Sequence, residues 1–421
     1  SMKIVGLIAE YNPFHNGHLY HIQKAKELTG ADLAVVVMSG DFVQRGAPAL
    51  LPKHLRAAMA LSGGADAVFE LPVCYATGSA ELFAEGAVSL LQQLGVVDCL
   101  CFGCECGKLS ALEKIAHILA EEPDSYRQHL KAFLKSGMRF PLARQKALEH
   151  YLGQETFGSL LSLPNNILGI EYLKALYRMD SSIRPHALQR VHSGYHDQEL
   201  QTDSSSASAI RNTIFSSCNA RTFSQQTNWN ATSLESQMPS SCLAILKEQY
   251  QKQFPVHPDF FSLLIKSTLL HYSARELEQF QDLSPDLSNR IMRQLPAFLQ
   301  YEQFCDRITT KELTHARISR ALIHILLDIK KEDIRSYTRQ GYHEYARLLG
   351  FRTNSRGILT EIHKKSTLKL VTKSSDHFQL SSFGRHMLKK DVFAADLYES
   401  VITDRYNTPF LSDFQKQIIK F

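Results

Sequence analysis

The sequence predicts an α/β protein in which an N-terminal parallel sheet, covered on both faces, is followed by an α-helical C-terminal part. Two observations carry this. Up to Phe102, short apolar runs alternate with helix-periodic segments, the pattern of strands buried on both sides. Beyond residue 242, nearly every segment repeats its apolar residues at three-to-four spacing. The 421 residues are 44% hydrophobic and 21% charged, with 21 Gly and 14 Pro. At about 100 to 200 residues per domain, the length predicts two or three domains, and the composition excludes disordered, collagenous and coiled-coil classes.

Residues 3–9 (KIVGLIA) read as a buried strand and 18–29 as a helix ended by Gly30. Residues 33–38 (LAVVVM) form a second strand, and 53–61 a helix closed by Gly63 and Gly64. A strand at 67–71, a helix at 80–94 stopped by Gly95, and a strand at 98–102 complete the series. Ligands of such sheets bind at the carboxyl ends of the strands. From about 108 to 180 the pattern turns helical, at 109–119, 126–134 and 167–177. This reads as a helical insertion in a first domain spanning 2–215. Residues 216–241, within a stretch rich in Ser, Thr, Gln and Asn that holds the only Trp, form a loop-rich boundary, and 242–421 a second, helical domain. No internal repeat is present.

The net charge is only +5, but it is uneven. Residues 311–390 hold 17 Lys and Arg against 7 Asp and Glu, a net of +10, which leaves −5 for the rest of the chain. That basic segment predicts a polyanion partner; the alternative is a solvated face with scattered lysines. Lys330, Lys331, Arg335, Arg352, Arg356, Lys364, Lys365, Lys369, Arg385, Lys389 and Lys390 are expected to line one face toward the active site. No apolar run approaches the roughly 18 residues that cross a bilayer, so no membrane contact is expected. The eight cysteines are irregularly spaced and no secretory signal opens the chain, which predicts a reducing cytoplasm.

The stretch Glu10-Tyr11-Asn12-Pro13-Phe14-His15-Asn16-Gly17-His18 carries the chemistry. A strand, a loop stiffened by Pro13, and a helix opened by Gly17-His18 would set free N–H groups and the positive helix end where a phosphate can bind. His15 and His18 could donate to an α-phosphate oxygen as charge builds there. The alternatives are a plain helix cap, or a histidine pair for a metal that lacks its third and fourth ligands.

The segment resembles the His-x-Gly-His signature of the nucleotidyltransferase superfamily. The longer run GLIAEYNPFHNGHLYHI, with SGDFVQRGAPA, FGCE, LPNNILGIEYL and SGYHD in order, resembles the bacterial tRNA(Met) cytidine acetate ligase family along most of the chain. The resemblance implies an N-terminal nucleotidyltransferase (Rossmann-like) domain and a two-step reaction. ATP and acetate give acetyl-adenylate and pyrophosphate, and the acetyl group passes to the wobble cytidine of elongator tRNA(Met), giving N4-acetylcytidine. Mg²⁺ would arrive with ATP. It implies ATP contacts along Ile8, Ala9, Glu10, Tyr11, Asn12, Pro13, Phe14, His15, Asn16, Gly17, His18, Leu19, Tyr20 and His21, and at Gly103, Asn165, Arg190 and Val191, with His15 and His18 catalytic. The basic C-terminal helices would take the tRNA, at Lys330, Lys331, Arg352, Arg356, Lys364, Lys365, Lys389 and Lys390.

Residues 204–211 resemble the superfamily's second motif, in which Ser206, Ser208 and Arg211 would cradle the leaving phosphates, although Ala207 stands where a hydroxyl is common. Ala47 stands where the family usually carries Glu. Cys99, Cys101, Cys104 and Cys106 are expected to hold no metal: the first two lie on one buried strand face, the last two in the loop beyond, and four thiolates so close cannot wrap one ion. A small-molecule adenylyltransferase is the competing function. The size and charge of the C-terminal part favour a macromolecular substrate.

Overall fold

The computed structural model describes residues 2–153, 160–190, 206–218 and 229–421. Strands β1 (Ile4–Ala9) and β2 (Leu33–Ser39) are followed by a small antiparallel hairpin, β3 (Phe42–Val43) and β4 (Ala47–Pro48), and then by β5 (Ala67–Leu71), β6 (Cys99–Cys104) and β7 (Arg184–Gln189). Three more follow from the C-terminal part: β8 (Tyr345–Phe351), β9 (Lys369–Val371) and β10 (Ile419–Lys420). All but the hairpin join one eight-stranded sheet in the order β10-β8-β5-β2-β1-β6-β7, with β9 also beside β8. The five strands from β5 to β7 are mutually parallel.

Alternate side chains of these strands enter two cores, as the doubly apolar sequences require. Ile4, Val35, Val37, Phe69, Leu100 and Phe102 face one core. Val5, Leu7, Val36, Met38, Val68, Cys99 and Cys101 face the other. Helices Ala80–Gln93 and Pro164–Arg178 cover the first face; Asn16–Thr29 and Lys53–Ser62 cover the second. Among the described residues no helix is long and apolar enough to cross a membrane.

The helical reading beyond 242 is corrected at 345–351. YARLLGF is almost wholly buried and forms β8, antiparallel to β5, with Ala67 opposite Phe351 and Glu70 opposite Arg347. A short continuous apolar run has the same periodicity signal as a buried helical turn. The C-terminal segment therefore completes the sheet as well as adding helices. Cys104 is likewise strand rather than loop: it ends β6 and is buried, on the face opposite Cys99 and Cys101.

The antiparallel direction of β8 also relocates part of the basic segment. Its last residues lie at the amino ends of the parallel strands, so Arg352 and Arg356 leave the sheet at the edge opposite the predicted site. Arg352 donates to the carbonyls of Leu61 (2.6 Å) and Ala65 (3.2 Å). The helix Gly357–Lys365 ends against Gly95, just before β6, and its Lys364 and Lys365 pair with Glu361. These four do not line the expected face. Lys331 donates to Leu283 O (2.6 Å), Lys390 pairs with Asp328 (2.9 Å), Lys330 starts the same helix as Lys331, and Lys389 is exposed.

Candidate active site

A cavity of about 470 Å³ opens at the carboxyl ends of β1, β6 and β7. Its floor is the loop after β1. His15 is the N-cap of helix Asn16–Thr29, and its Nδ1 accepts the Gly17 N–H at 3.0 Å. In return the His18 Nδ1 accepts the His15 N–H at 3.1 Å. The two imidazoles thus close a reciprocal capping box and stack with centroids 3.7 Å apart. Gly17 is required here, since a Cβ would lie 2.8 Å from the His15 ring.

The capping bonds fix the tautomers. With each Nδ1 accepting a backbone N–H, each neutral ring carries its proton on Nε2 and is a donor there. Burial, then the nearby Arg190 and Arg211, bring the His15 pKa down to about 3. Burial and the neighbouring histidines hold His18 well below the ordinary value, and burial brings His21 down to about 4. The pair is neutral at physiological pH.

The loop is held from several sides. Tyr11 sits at φ 50°, a left-handed conformation that costs a non-glycine residue about 1–3 kcal/mol. Asn12 Oδ1 accepts the Leu50 N–H (2.7 Å), Glu10 Oε2 accepts the Gln44 N–H (2.8 Å), and Arg211 donates to Asn12 O (2.8 Å). Ile8, Ala9, Glu10, Tyr11, Asn12, His15, Asn16, Gly17, His18, Tyr20 and His21 line the cavity. Phe14 does not: it is fully buried against Gly63, and Leu19 packs on the same core. Pro13 is also absent from the wall.

The other predicted residues converge on this wall. Gly103 lies near the end of β6, and Arg190 directly follows β7, with its Cγ 3.6 Å from where a Gly103 Cβ would stand. Ser206 caps helix Ala207–Cys218 by accepting the Ala209 N–H (3.2 Å), and Arg211 donates to Ser208 Oγ (3.1 Å). Asn165 is not the N-cap; Leu163 is, and the Asn165 amide donates to Glu105 beyond β6 (2.9 Å). Val191 lies outside the described residues. The wall also holds Gln44 and Arg45 from the hairpin, and Phe83, Phe102, Leu168, Tyr172, Leu188 and Gln189. Leu168 and Tyr172 follow Asn165 at helical spacing, a signal that was available; Phe83 had none, because its helix reaches the wall only through the fold.

A profile of the HIGH Nucleotidyl Transferase family matches residues 2–411. The tRNA(Met) cytidine acetate ligase of Acetivibrio thermocellus is 40% identical over 400 residues, 94% of each chain. That of Halothermothrix orenii is 36% identical over the full length of both. The chain belongs to the tRNA(Met) cytidine acetate ligase family. The crystal structure of Thermotoga maritima TmcAL superposes with a TM-score of 0.92 at 32% identity, covering all of both chains. A form of the same protein bound with alpha-thio ATP gives 0.89 at 31% identity, covering 100% of this chain and 99% of that one.

In this acetate ligase fold, the one group of described residues close enough to share a metal is His257, Asp259 and Glu302, outside the cavity wall. The His257 Nδ1 accepts the Asp259 N–H (3.0 Å), which leaves Nε2 protonated and facing Glu302 (3.7 Å). With one nitrogen accepting and the other carrying a proton, the ring offers no lone pair to an ion. The buried thiols near β6 are protonated, with Cys101 pushed up to about 12 and Cys104 to about 11 by burial.

Proposed function

We propose that this chain is an ATP-dependent ligase that joins acetate to the wobble cytidine of elongator tRNA(Met). The observation that carries this reading is the neutral, stacked His15–His18 pair with both Nε2–H donors at a helix N-terminus, in a chain similar to named acetate ligases over nearly its whole length. ATP occupies the cavity with its α-phosphate over His15, His18 and the start of the helix. Ser206, Ser208 and Arg211 take the β- and γ-phosphates at the second helix N-terminus. The nucleoside lies toward Gly103 and Asn165, and Arg190 joins the phosphate cradle.

An acetate oxygen attacks the α-phosphorus, and the bond to pyrophosphate breaks. The two imidazoles donate to the oxygen on which charge builds, with no proton transferred and little reorganisation. The cytidine N4 amine then attacks the acetyl carbonyl. The N–C bond forms, the bond to AMP breaks, and the amine gives up a proton. Glu10 is the only carboxylate among the described lining residues, so the wall lacks the paired acids of a built-in metal site. Mg²⁺ is therefore read as the companion of ATP. The basic C-terminal helices are proposed as the tRNA platform through residues outside the 352–365 edge, namely Lys330, Lys331, Lys389 and Lys390.

The test is incubation with ATP, Mg²⁺, radiolabelled acetate and total tRNA, with each omitted in turn. Label in N4-acetylcytidine of tRNA(Met) that requires ATP is expected. Acetate-independent turnover with a phosphorylated small molecule would select the adenylyltransferase instead.

A further inference from the structure

Three described arginines line the cavity. Arg190 and Arg211 act electrostatically on His15 and belong with the phosphate cradle. Arg45 acts electrostatically on Tyr301 and His315 of the C-terminal helices. It stands at the cavity lip, 41% exposed, at the turn of the hairpin formed by β3 and β4. Its ion pair with Glu302 is long, at 3.8 Å, and Glu302 also faces the His257 Nε2–H. An exposed pair of this length contributes little, so a stronger anion can draw the guanidinium away.

The hairpin itself is fixed. Tyr301 donates to Gly46 O, and Gly46, at φ +79°, lies flush against Ser319 and Arg320, where a Cβ would stand 2.3 Å from the Arg320 nitrogen. Arg45 thus has a rigid base, an exposed end in a long ion pair, and a position between the chemistry and the C-terminal helices.

We propose that Arg45 clamps a backbone phosphate next to the acceptor cytidine, with Glu302 as its partner only while no RNA is bound. This rests on the tRNA reading above. A base that reacts inside a cavity enters unstacked, and its flanking phosphates stay at the lip. A planar guanidinium meets a phosphate with two parallel N–H donors.

The experiment measures tRNA(Met) binding at several salt concentrations, beside acetate-dependent ATP–pyrophosphate exchange and acetyl transfer. R45A should weaken binding about tenfold and flatten the slope of log affinity against log salt by about 0.7 to 1. Transfer should fall more than tenfold while exchange falls less than threefold. R45K keeps the charge and should keep the slope, and E302Q, which removes the competing anion, should hold or tighten affinity. Exchange lost in step with transfer, an unchanged salt slope in R45A, or an E302Q defect as large as that of R45A each overturns the proposal. Wild-type protein that labels no tRNA would instead overturn the underlying function.

Discussion

At the scale of residues, the site depends on two histidines whose acid–base properties are set by their own backbone. His15→Ala and His18→Ala should each slow adenylate formation by about 10²-fold or more, the size expected for losing a donor to a developing oxyanion, with a smaller effect on ATP affinity. Pyrophosphate release at saturating ATP measures this, and wild-type rates in both would remove them from the chemistry. Because burial holds His15 near 3 and His18 well below 6.5, protonation sets in only in strong acid. The rate should show no inflection near pH 6.5 in a pH series on the intact enzyme. Arg211→Ala and Arg190→Ala should act mainly on ATP affinity, since a phosphate clamp is occupied before the transition state; calorimetry with a non-hydrolysable analogue decides it. The His15–His18 pair was legible from its spacing at a helix start, whereas Arg190 and Arg211 were implied only by the family resemblance. The histidine tautomers were not, because the backbone N–H of each capping bond is brought to its Nδ1 only once the helix has formed.

At the scale of elements, glycines separate folding from binding. Gly46→Ala places a side chain at φ +79° and drives its Cβ into the Arg320 backbone. It should destabilise the protein by about 1–3 kcal/mol, seen as a lowered Tm, or displace the hairpin. Gly103→Ala is the opposite case: the nearest atom to its Cβ is Arg190 Cγ at 3.6 Å, an ordinary contact. It should leave Tm within a few degrees and weaken ATP binding if a nucleotide lies against that strand end; unchanged affinity would move the nucleotide elsewhere. The early strands were readable because each is a run of apolar residues bounded by turns. β7 was missed because RPHALQ is an edge strand with only partly buried side chains, and β8 because nothing local to YARLLGF states that it pairs with β5.

At the scale of the whole molecule, a buried ionic network ties the C-terminal part to the sheet. Lys53, at the start of a helix, meets Glu70 of β5 (2.9 Å) and Asp413 (3.0 Å), and Asp413 also meets Arg347 of β8 (3.0 Å). Burial works against the Asp413 charge, but Lys53 and Arg347 hold its pKa below the usual range, so its stabilisation is present above that range and is lost as pH falls. Asp391 behaves in the opposite sense. Burial, then Glu70, raise it to about 8, although it accepts from Val73 N–H (2.8 Å) and from the Tyr345 hydroxyl. A carboxyl raised on folding stabilises in full below its unfolded value near 4 and loses that contribution as pH rises toward 8. Thermal unfolding should show Tm declining from pH 5 to 9, and Asp391→Asn should flatten the decline. A parallel decline in the mutant would place the titration elsewhere. Partners this distant in sequence leave no pattern in it, which is why the network was illegible while the charge asymmetry was plain.

The pairing of β5 with β8 has a consequence for how the protein is made. β5 is complete once residue 71 has been added, but its outer neighbour ends only at residue 351. At about 5–20 residues per second, a ribosome needs on the order of 15 to 55 seconds to cover that interval. Throughout it, the nascent sheet presents an apolar strand with an unpaired hydrogen-bonding edge, the template on which other chains aggregate. Chaperone cover in that window, and insolubility of chains cut between residues 215 and 340, follow from strand order alone.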